Sequence, residues 1–529
     1  MKIALAKLTS LIEAPFRKHF VLFMLCFVIA SICDVIMRLH EYNFIFSVLF
    51  AGIIYIMTYF LFLLMEILPS KLQGFYKVII LSIASFNAFV DLICLKVMNG
   101  AAFTEFLGVI AGTNKQEIVE FIRVFLSWDL LFIIIAFGFV VVILLWLFRK
   151  LKNYCTIICR LSLFMMIVEM LLLSLNGKIF YFEDCYLGKI YKILTLERAP
   201  NLKYYYSHPV LVSTSNDKPQ NIVVVIGESF SKEHSSLYGY EKKTNPMLEK
   251  LRNDSSLFVF DDVSCAEIQT VPNIKCIMST FTHKNDSIEW YECITLPEIL
   301  QKAEYKTFWI SNQSEKGLWD NVTTKYAELC DSVVFVGSKY GGFDKVPYDA
   351  EVLNPLKNIF YQNKAGKNVF FIHLMGSHQE FSSRYPKKFE KYSSSDYPQA
   401  KEKQRNVLAH YDNSVLYNDK VVSDIFQIFK NTECVGFYFS DHSLDIFNTD
   451  DDYAGHARPN NSLSVSISTK VPFMMFLSDS CKTTRNTLLE RILKNKNTEF
   501  NTENFIYLLM DVIGVDFEDE SANRRTLLK

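Results

Sequence analysis

The 529-residue chain has no excess of charge of either sign: 55 Lys and Arg against 56 Asp and Glu leave a formal net charge of −1. That balance excludes a nucleic-acid binder working through bulk basic charge. No internal repeat recurs and no long low-complexity tract interrupts the chain. Disorder is excluded as well, because 50% of the residues are hydrophobic, far more than a chain unable to build a core would carry. The chain after residue 176 holds seven cysteines but no Cys-x-x-Cys pair, so nothing there points to a sulfur-only zinc site. What is in surplus is apolar character. Mean hydropathy is +0.15, unusual for a soluble enzyme, and the length suits two or three domains.

The surplus is concentrated at the N-terminal end. Apolar runs cover His19–Leu39, Phe44–Leu68, Tyr76–Met98, Asp129–Phe148 and Cys155–Leu175. Each is long enough for a helix to cross ~30 Å of hydrocarbon, and unbroken apolar character favours helices over a barrel. Five such runs in succession are not expected of buried helices in a soluble protein. The first is too deep and too long for a cleaved signal peptide. Lys2, Lys7, Arg17 and Lys18 precede the first run, Lys71 and Lys77 separate the second and third, and Arg149, Lys150 and Lys152 separate the fourth and fifth. By the positive-inside rule these segments face the cytoplasm. An odd number of spans then places everything beyond Leu175 outside, in the periplasm of a cell with an outer membrane. Asp91 lies inside the third run, where a carboxylate is costly and either functional or close to an interface. The outer loop Asn99–Trp128 carries Thr113 and Glu117 on a short amphipathic stretch, a candidate wall for a lipid-facing site. Residues 176–220 interleave Tyr and Phe with Lys and Arg, which suits either a helix lying among headgroups or an ordinary linker.

From Asn221 onward the pattern is α/β. Short β-branched or aromatic runs at Ile222–Ile226, Thr307–Ile310, Val333–Val336, Val369–Leu374, Val435–Phe439 and Phe473–Phe476 end in polar clusters. Helical stretches such as Leu296–Ala303 and Leu416–Phe429 fall between several of them. The alternation predicts a mainly parallel central sheet covered on both faces, an αβα sandwich. The expected organisation is a five-helix transmembrane domain over 1–175, an interfacial bridge over 176–220, and a catalytic domain over 221–529.

Ligands gather at the carboxyl ends of strands in such sheets, and reactive residues lie at those ends. Glu228 follows the first run directly. Thr270-Val-Pro272 places a hydroxyl at the start of a helix, since Pro suits the first turn and free N–H groups there favour a phosphate. His373-Leu-Met-Gly-Ser-His378 follows the fourth run, and Ser440-Asp441-His442 follows the fifth, with Gly455-His456 beyond. Singly each has a plain explanation: a strand-end Asp can cap a helix, a lone His is more often structural, and Thr270 alone would be an N-cap. Together they offer Glu, Asp and three His beside one hydroxyl, a set suited to zinc. Zinc could lower the pKa of the Thr270 hydroxyl and make it a nucleophile.

Glu228-Ser-x-Ser-x-x-His234-x-Ser-Leu-Tyr-Gly-Tyr240 with Thr244-Asn-Pro246 resembles the phosphoethanolamine transferases of the alkaline phosphatase/sulfatase superfamily, as does the layout of five spans and an outer domain. The resemblance implies that Glu228, Thr270, Asp441 and His442 hold the catalytic zinc, and that Thr270 carries a covalent phosphoethanolamine. It implies further that His378 and His456 contact the phosphoryl group or a second zinc during turnover. It assigns Thr113 and Glu117 to the outer-loop residues that approach the site, and Lys316 to a substrate-contacting lysine. A bridge between Cys265 and Cys276, which bracket Thr270, resembles those found in the family. The position one helical turn before Thr113 holds Val109 where lipid A enzymes carry Asn, and the nucleophile segment between Cys265 and Cys276 is filled differently; the motif resembles more nearly the branches that modify core sugars or other glycans. Thr270-Val-Pro272 also resembles the Cys/Ser-x-Pro-x-Arg signature of sulfatases. Threonine cannot be oxidised to formylglycine, however, and no Arg follows, which argues against sulfate-ester hydrolysis.

The implied enzyme moves phosphoethanolamine from phosphatidylethanolamine to a lipid-linked glycan, lipid A or lipopolysaccharide core, at the inner membrane. It is expected to be a monomer without nucleic-acid partners. The rival readings are a phosphoglycerol transferase similar to lipoteichoic acid synthase, a phosphodiesterase passing the group to water, and a catalytically dead scaffold.

Overall fold

The structure is a computed structural model, and it describes residues 2–41, 44–97, 128–152, 202, 212–214, 218–283, 288–313, 315, 322–337, 347–450, 453–457, 461–517 and 526–528. These fall into two compact units, one holding the helices up to residue 151 and one holding the chain from residue 202 onward.

In the first unit four helices are described: α1 (Lys2–Glu41), α2 (Phe44–Ile67), α3 (Ser70–Val97) and α4 (Trp128–Leu151). The first four apolar runs fall on these helices. The fifth, Cys155–Leu175, lies outside the described residues, as do the outer loop with Thr113 and Glu117 and most of the bridge. Among the described residues one segment, Ser70–Leu92, is long and apolar enough to cross a membrane; Ala51–Ile67 is apolar but shorter. Helix α1 contains Pro15 and loses regular geometry at His19 (φ −125°, ψ 18°). At that break Glu66 of α2 meets His19 Nε2 at 2.8 Å and Lys18 Nζ at 2.5 Å, which ties the two helices. Asp91 is buried on α3, and Asn87 Nδ2 donates to it at 2.8 Å and to the Ala30 carbonyl at 2.7 Å. The carboxylate therefore faces other protein groups, the arrangement expected where hydrocarbon would surround it otherwise.

The second unit is built on seven strands: β1 (Asn221–Gly227), β2 (Leu257–Phe260), β3 (Lys306–Ser311), β4 (Ser332–Phe335), β5 (Asn368–His373), β6 (Cys434–Ser440) and β7 (Phe473–Leu477). Their order is β2-β7-β6-β1-β5-β3-β4. All pairings among β6, β1, β5, β3 and β4 are parallel, and β7 runs antiparallel to both of its neighbours. The sheet is thus mixed, mainly parallel with one reversed strand. All six expected strands lie in it, and the edge strand β2 is an addition.

The period-2 pattern explains the layering. On β1, Ile222, Val224 and Ile226 enter one core together with helices α6 (Thr270–Met278) and α7 (Leu296–Lys302). Val223 and Val225 enter the other, together with α5 (Pro246–Asn253), α8 (Leu353–Gln362) and α9 (Glu402–Phe429). Every residue of β1, β5 and β6 is buried, as expected of central strands covered on both faces.

Phe371 is fully buried on β5, between Val224 of β1 and Trp309 of β3. Phe371→Ala is expected to cost the unit ~3–5 kcal/mol, read as a clear fall in melting temperature. An unchanged melt would contradict the placement of β5 at the centre of the core.

Candidate metal centre

Parallel register brings the reactive residues together. Gly227 on β1 pairs with Ser440 on β6, and Ile226 pairs with His373 on β5. The residues just beyond those strand ends therefore meet at one edge. Glu228, Asp441 and His442 are all buried, and one ligand atom from each lies within 4.8 Å of the others. His442 Nε2 is 3.1 Å from Glu228 Oε1 and 3.6 Å from Asp441 Oδ2. From the N-terminus of α6, Thr270 Oγ1 reaches Glu228 Oε2 at 3.1 Å and His442 Nε2 at 3.4 Å. The four residues assigned to the metal thus converge, although they come from three separate parts of the chain.

The orientation of each group is set by its other contacts. His442 Nδ1 lies 2.9 Å from the Ser443 carbonyl. A ring nitrogen facing a carbonyl must carry the proton, so Nε2 is the nitrogen turned toward the cluster, as a metal-ligating imidazole requires. Asp441 Oδ1 accepts from the backbone N–H groups of His442 at 2.7 Å and Ser229 at 3.3 Å. Its Oδ2 is buried without a hydrogen-bond donor. An orphaned carboxylate oxygen beside a second carboxylate fits a cation in that space. Ser229 donates to Glu228 Oε1 at 2.8 Å. Gly376, at φ +50°, passes so close to Glu228 that a Cβ there would stand 2.5 Å from the Glu228 carbonyl oxygen, and Ser377 N–H bonds that same oxygen at 2.9 Å.

Electrostatics follow from this crowding. Burial opposes ionisation of Glu228, but the hydrogen bond and charge of His442 outweigh it and hold the carboxyl well below the usual range. Burial and then the Glu228 charge push the Asp441 carboxyl up. Burial works to lower His442, yet Asp441 and Glu228 together raise it to about 9. The positive charge of one imidazolium between two buried carboxyl groups is what a divalent cation there would supply in its place.

His456 stacks obliquely on His442, with ring centroids 4.7 Å apart, and its Nδ1 faces the Ile268 carbonyl at 3.2 Å. Burial, then the His442 charge, lowers it to about 3, so its imidazole is neutral. His378 is half-buried and lies in the neighbourhood of Glu228 and His456. Lys316, Thr113 and Glu117 lie outside the described residues.

Cys265 and Cys276 are both free, buried thiols, so the expected bridge is not formed. The two sulfurs have separate surroundings: Cys265 Sγ donates to the Glu267 carbonyl at 3.1 Å, while Cys276 sits on α6, where burial raises its thiol to about 12.

Gln313, two residues past β3, escaped the sequence reading. Its Nε2 donates to Glu228 Oε2 at 3.3 Å. The signal was available, since Gln313 occupies the same strand-end position as the residues that were selected. His373, the last residue of β5, is buried with both ring nitrogens unpartnered, and burial lowers it to about 4.

A family model described as Sulfatase matches residues 220–515, a span that includes the entire sheet. Phosphoethanolamine transferase EptC of Escherichia coli is 27% identical over 316 residues, covering 59% of this chain and 53% of that protein. The chain thus spans about half the length of that curated relative. Among solved structures, the C-terminal periplasmic domain of EptC from Escherichia coli in complex with Zn aligns with a TM-score of 0.54 at 25% identity, over 60% of this chain and 89% of that one. The integral membrane protein lipooligosaccharide phosphoethanolamine transferase A from Neisseria meningitidis aligns with a TM-score of 0.63 at 18% identity, over 94% and 96%. That is a likeness of fold extending over nearly the full chain.

In the metal-free protein the His442 ring is expected to titrate near pH 9 rather than its ordinary 6.5. Because the folded value is the higher one, its stabilising contribution is complete below the unfolded pKa and is lost as pH rises through about 9. Histidine NMR of the chelator-treated protein measures this. A His442 resonance titrating at the ordinary value would contradict the carboxylate contacts.

Proposed function

The chain belongs to the sulfatase family, and from that membership and the cluster around Thr270 we propose that it is a zinc-dependent phosphoethanolamine transferase of the inner membrane. In this reading residues 1–175 cross the bilayer five times, 176–220 bridge along its surface, and 221–529 form the periplasmic catalytic domain. The donor is phosphatidylethanolamine and the acceptor a cell-envelope glycolipid or glycan, lipid A or lipopolysaccharide core. The observation that carries the reading is Thr270: a hydroxyl at the first residue of a helix, 3.1 Å from a buried carboxylate and 3.4 Å from a buried imidazole.

Glu228, Asp441, His442 and Thr270 would hold the zinc, and the Zn-bound structure of the similar Escherichia coli domain supports that choice of metal. Bound there, zinc would favour the alkoxide of Thr270 and stabilise negative charge building on phosphoryl oxygens. The first N–H groups of α6 favour the phosphoryl anion in the same place. The Thr270 oxygen forms a bond to phosphorus as the bond from phosphorus to the diacylglycerol oxygen breaks. The proton given up by Thr270 is matched by one taken up by the departing diacylglycerol. An acceptor hydroxyl, losing its own proton, then displaces Thr270 and regenerates its hydroxyl. His456, held neutral, is a poor proton donor and suits contact with the phosphoryl group or a second zinc. His378 is the histidine assigned to proton delivery. Thr113, Glu117 and Lys316 are proposed substrate contacts. A donor with two acyl chains stays in the bilayer, which gives a membrane-anchoring helical unit its purpose.

Thr270→Ala is expected to lose the covalent phosphoethanolamine adduct by intact-mass measurement and to slow diacylglycerol release roughly a thousandfold or more. An adduct persisting on that variant refutes the nucleophile. Release from phosphatidylglycerol but not phosphatidylethanolamine would instead favour the phosphoglycerol transferase. Zinc uptake by the metal-free protein at about pH 8 is expected to expel at least roughly one proton, because the imidazolium of His442 persists to about 9, and more where Thr270 ionises on the metal. An indicator dye in weak buffer reads this, and uptake without proton release would remove His442 from the ligand set.

A further inference from the structure

We propose that Tyr411, on α9, is a positioning residue for the metal ligands: its hydroxyl clamps the strained turn that carries Glu228 into the cluster. The inference rests on the transferase reading above.

The turn after β1 is unusual. Ser229 has φ +58°, in the left-handed region that a side chain with a Cβ rarely adopts. Such a residue persists only where its surroundings over-determine it. Here Tyr411 does so from both sides. Its hydroxyl donates to the Ser229 carbonyl at 2.8 Å and accepts from Ser231 N–H at 2.7 Å. One oxygen thus closes the turn across its strained residue. The neighbouring backbone N–H, of Phe230, goes to Ser440 Oγ at 2.9 Å, and Ser440 Oγ in turn donates to the His442 carbonyl at 2.8 Å. The turn bearing Glu228 and the segment bearing Asp441 and His442 are therefore linked by one chain of hydrogen bonds.

Tyr411 is itself held. It is fully buried, and its ring meets the edges of His234 and Phe381, each with centroids 4.9 Å away. His234 Nδ1 lies 2.6 Å from Asp412 Oδ1, while Tyr240 and Tyr397 donate to Asp412 Oδ2 at 2.7 and 2.5 Å. His234 and Tyr240 are the most prominent residues of the segment after Glu228, and neither enters the metal cluster. Their arrangement explains their presence: they fix the start of the Tyr411–Asp412 segment, which fixes the turn.

Zinc affinity is the decisive readout, because loss of a merely structural contact would lower the melting temperature without it. Full-length protein in detergent is compared as wild type, Tyr411→Phe and Tyr417→Phe by chelator competition with zinc alone. Tyr417 lies on the same helix, and its hydroxyl accepts from Ala350 N–H at 3.2 Å, away from the turn. Tyr411→Phe is expected to weaken zinc binding roughly 10–100-fold, the range typical of outer partners of metal ligands. Tyr417→Phe is expected to lower the melting temperature and leave zinc affinity unchanged. Equal affinities for wild type and Tyr411→Phe overturn the clamp. A wild type that takes up no zinc overturns the functional reading instead. A measurement on the wild type alone stands if Tyr411→Phe does not fold. Zinc should slow amide hydrogen exchange at Ser231 more than at Ala350, since coupling between clamp and metal is reciprocal. Equal slowing at both overturns the inference.

Discussion

Two carboxylates buried side by side govern the second unit. Glu228 and Asp441 lie where the sheet ends, with ligand atoms of the cluster within 4.8 Å. Like charges near that distance repel by about 4 kcal/mol at the effective dielectric typical of proteins. Burial and this repulsion still push the Asp441 carboxyl up, while Glu228 is held well below the usual range. Donors surround the pair: Ser229 O–H on Glu228, backbone N–H groups of Ser229 and His442 on Asp441, and the His442 ring between the two. One oxygen, Asp441 Oδ2, is left with none. Such a site is costly to fold, and the donor set that remains is one that could hold a cation, with the Thr270 hydroxyl 3.1 Å from Glu228 Oε2.

The sheet order makes this convergence possible. Strand β1 is central, with β6 on one side and β5 on the other, so parallel register alone brings positions 228, 373 and 441 to one edge. The rest of the local structure fixes side-chain direction. Gly376 is needed because no other residue could approach the Glu228 backbone so closely. Asp349 accepts from the Met375 and Gly376 N–H groups at 2.8 and 2.9 Å, which holds the loop leading to His378. Helix α5 is capped from a distance: Asp419 on α9 accepts from Met247 and Leu248 N–H at 2.9 and 2.8 Å, supplying partners that the helix start cannot provide itself.

What could be read from the sequence follows from which forces leave a local trace. Five of the six strands read, β1, β3, β5, β6 and β7, lie inside the sheet, where cover on both faces favours apolar runs. The two edge strands are both four residues long, and short apolar runs do not distinguish strand from helix; β4 was read from Val333–Val336, whereas β2, Leu257-Phe-Val-Phe260, was not. The reversal of β7 left no trace, since direction depends on the path of the chain between strands. Helix α9 was read from Leu416, but it begins at Glu402. Its first half buries Tyr411, Asp412 and Asn413, of which Tyr411 bonds the turn after Glu228, and these buried polar residues erase the apolar periodicity. That Glu228, Thr270, Asp441 and His442 lie close together could be anticipated because strand ends and a helix start are local features. Gln313 also lies just past a strand end but was not singled out, and Tyr411, mid-helix, has no local feature that marks its contact with the Ser229 turn.

The separation between ligand and support explains why the resemblance was so specific. Three candidate ligands and a hydroxyl could be described in a handful of letters, yet the matching segment runs from Glu228 to Pro246. The additional residues serve the turn. Ser235 and Thr244 both bond Asn245 Oδ1, Ser236 N–H bonds Thr244 Oγ1, and His234 engages Asp412. A metal can be held by few atoms only if those atoms do not move, and a strained turn beside a pair of repelling carboxylates relaxes unless something opposes it. Most of the signature is therefore the apparatus that keeps one glutamate in place, and α9 completes it from nearly two hundred residues away in sequence.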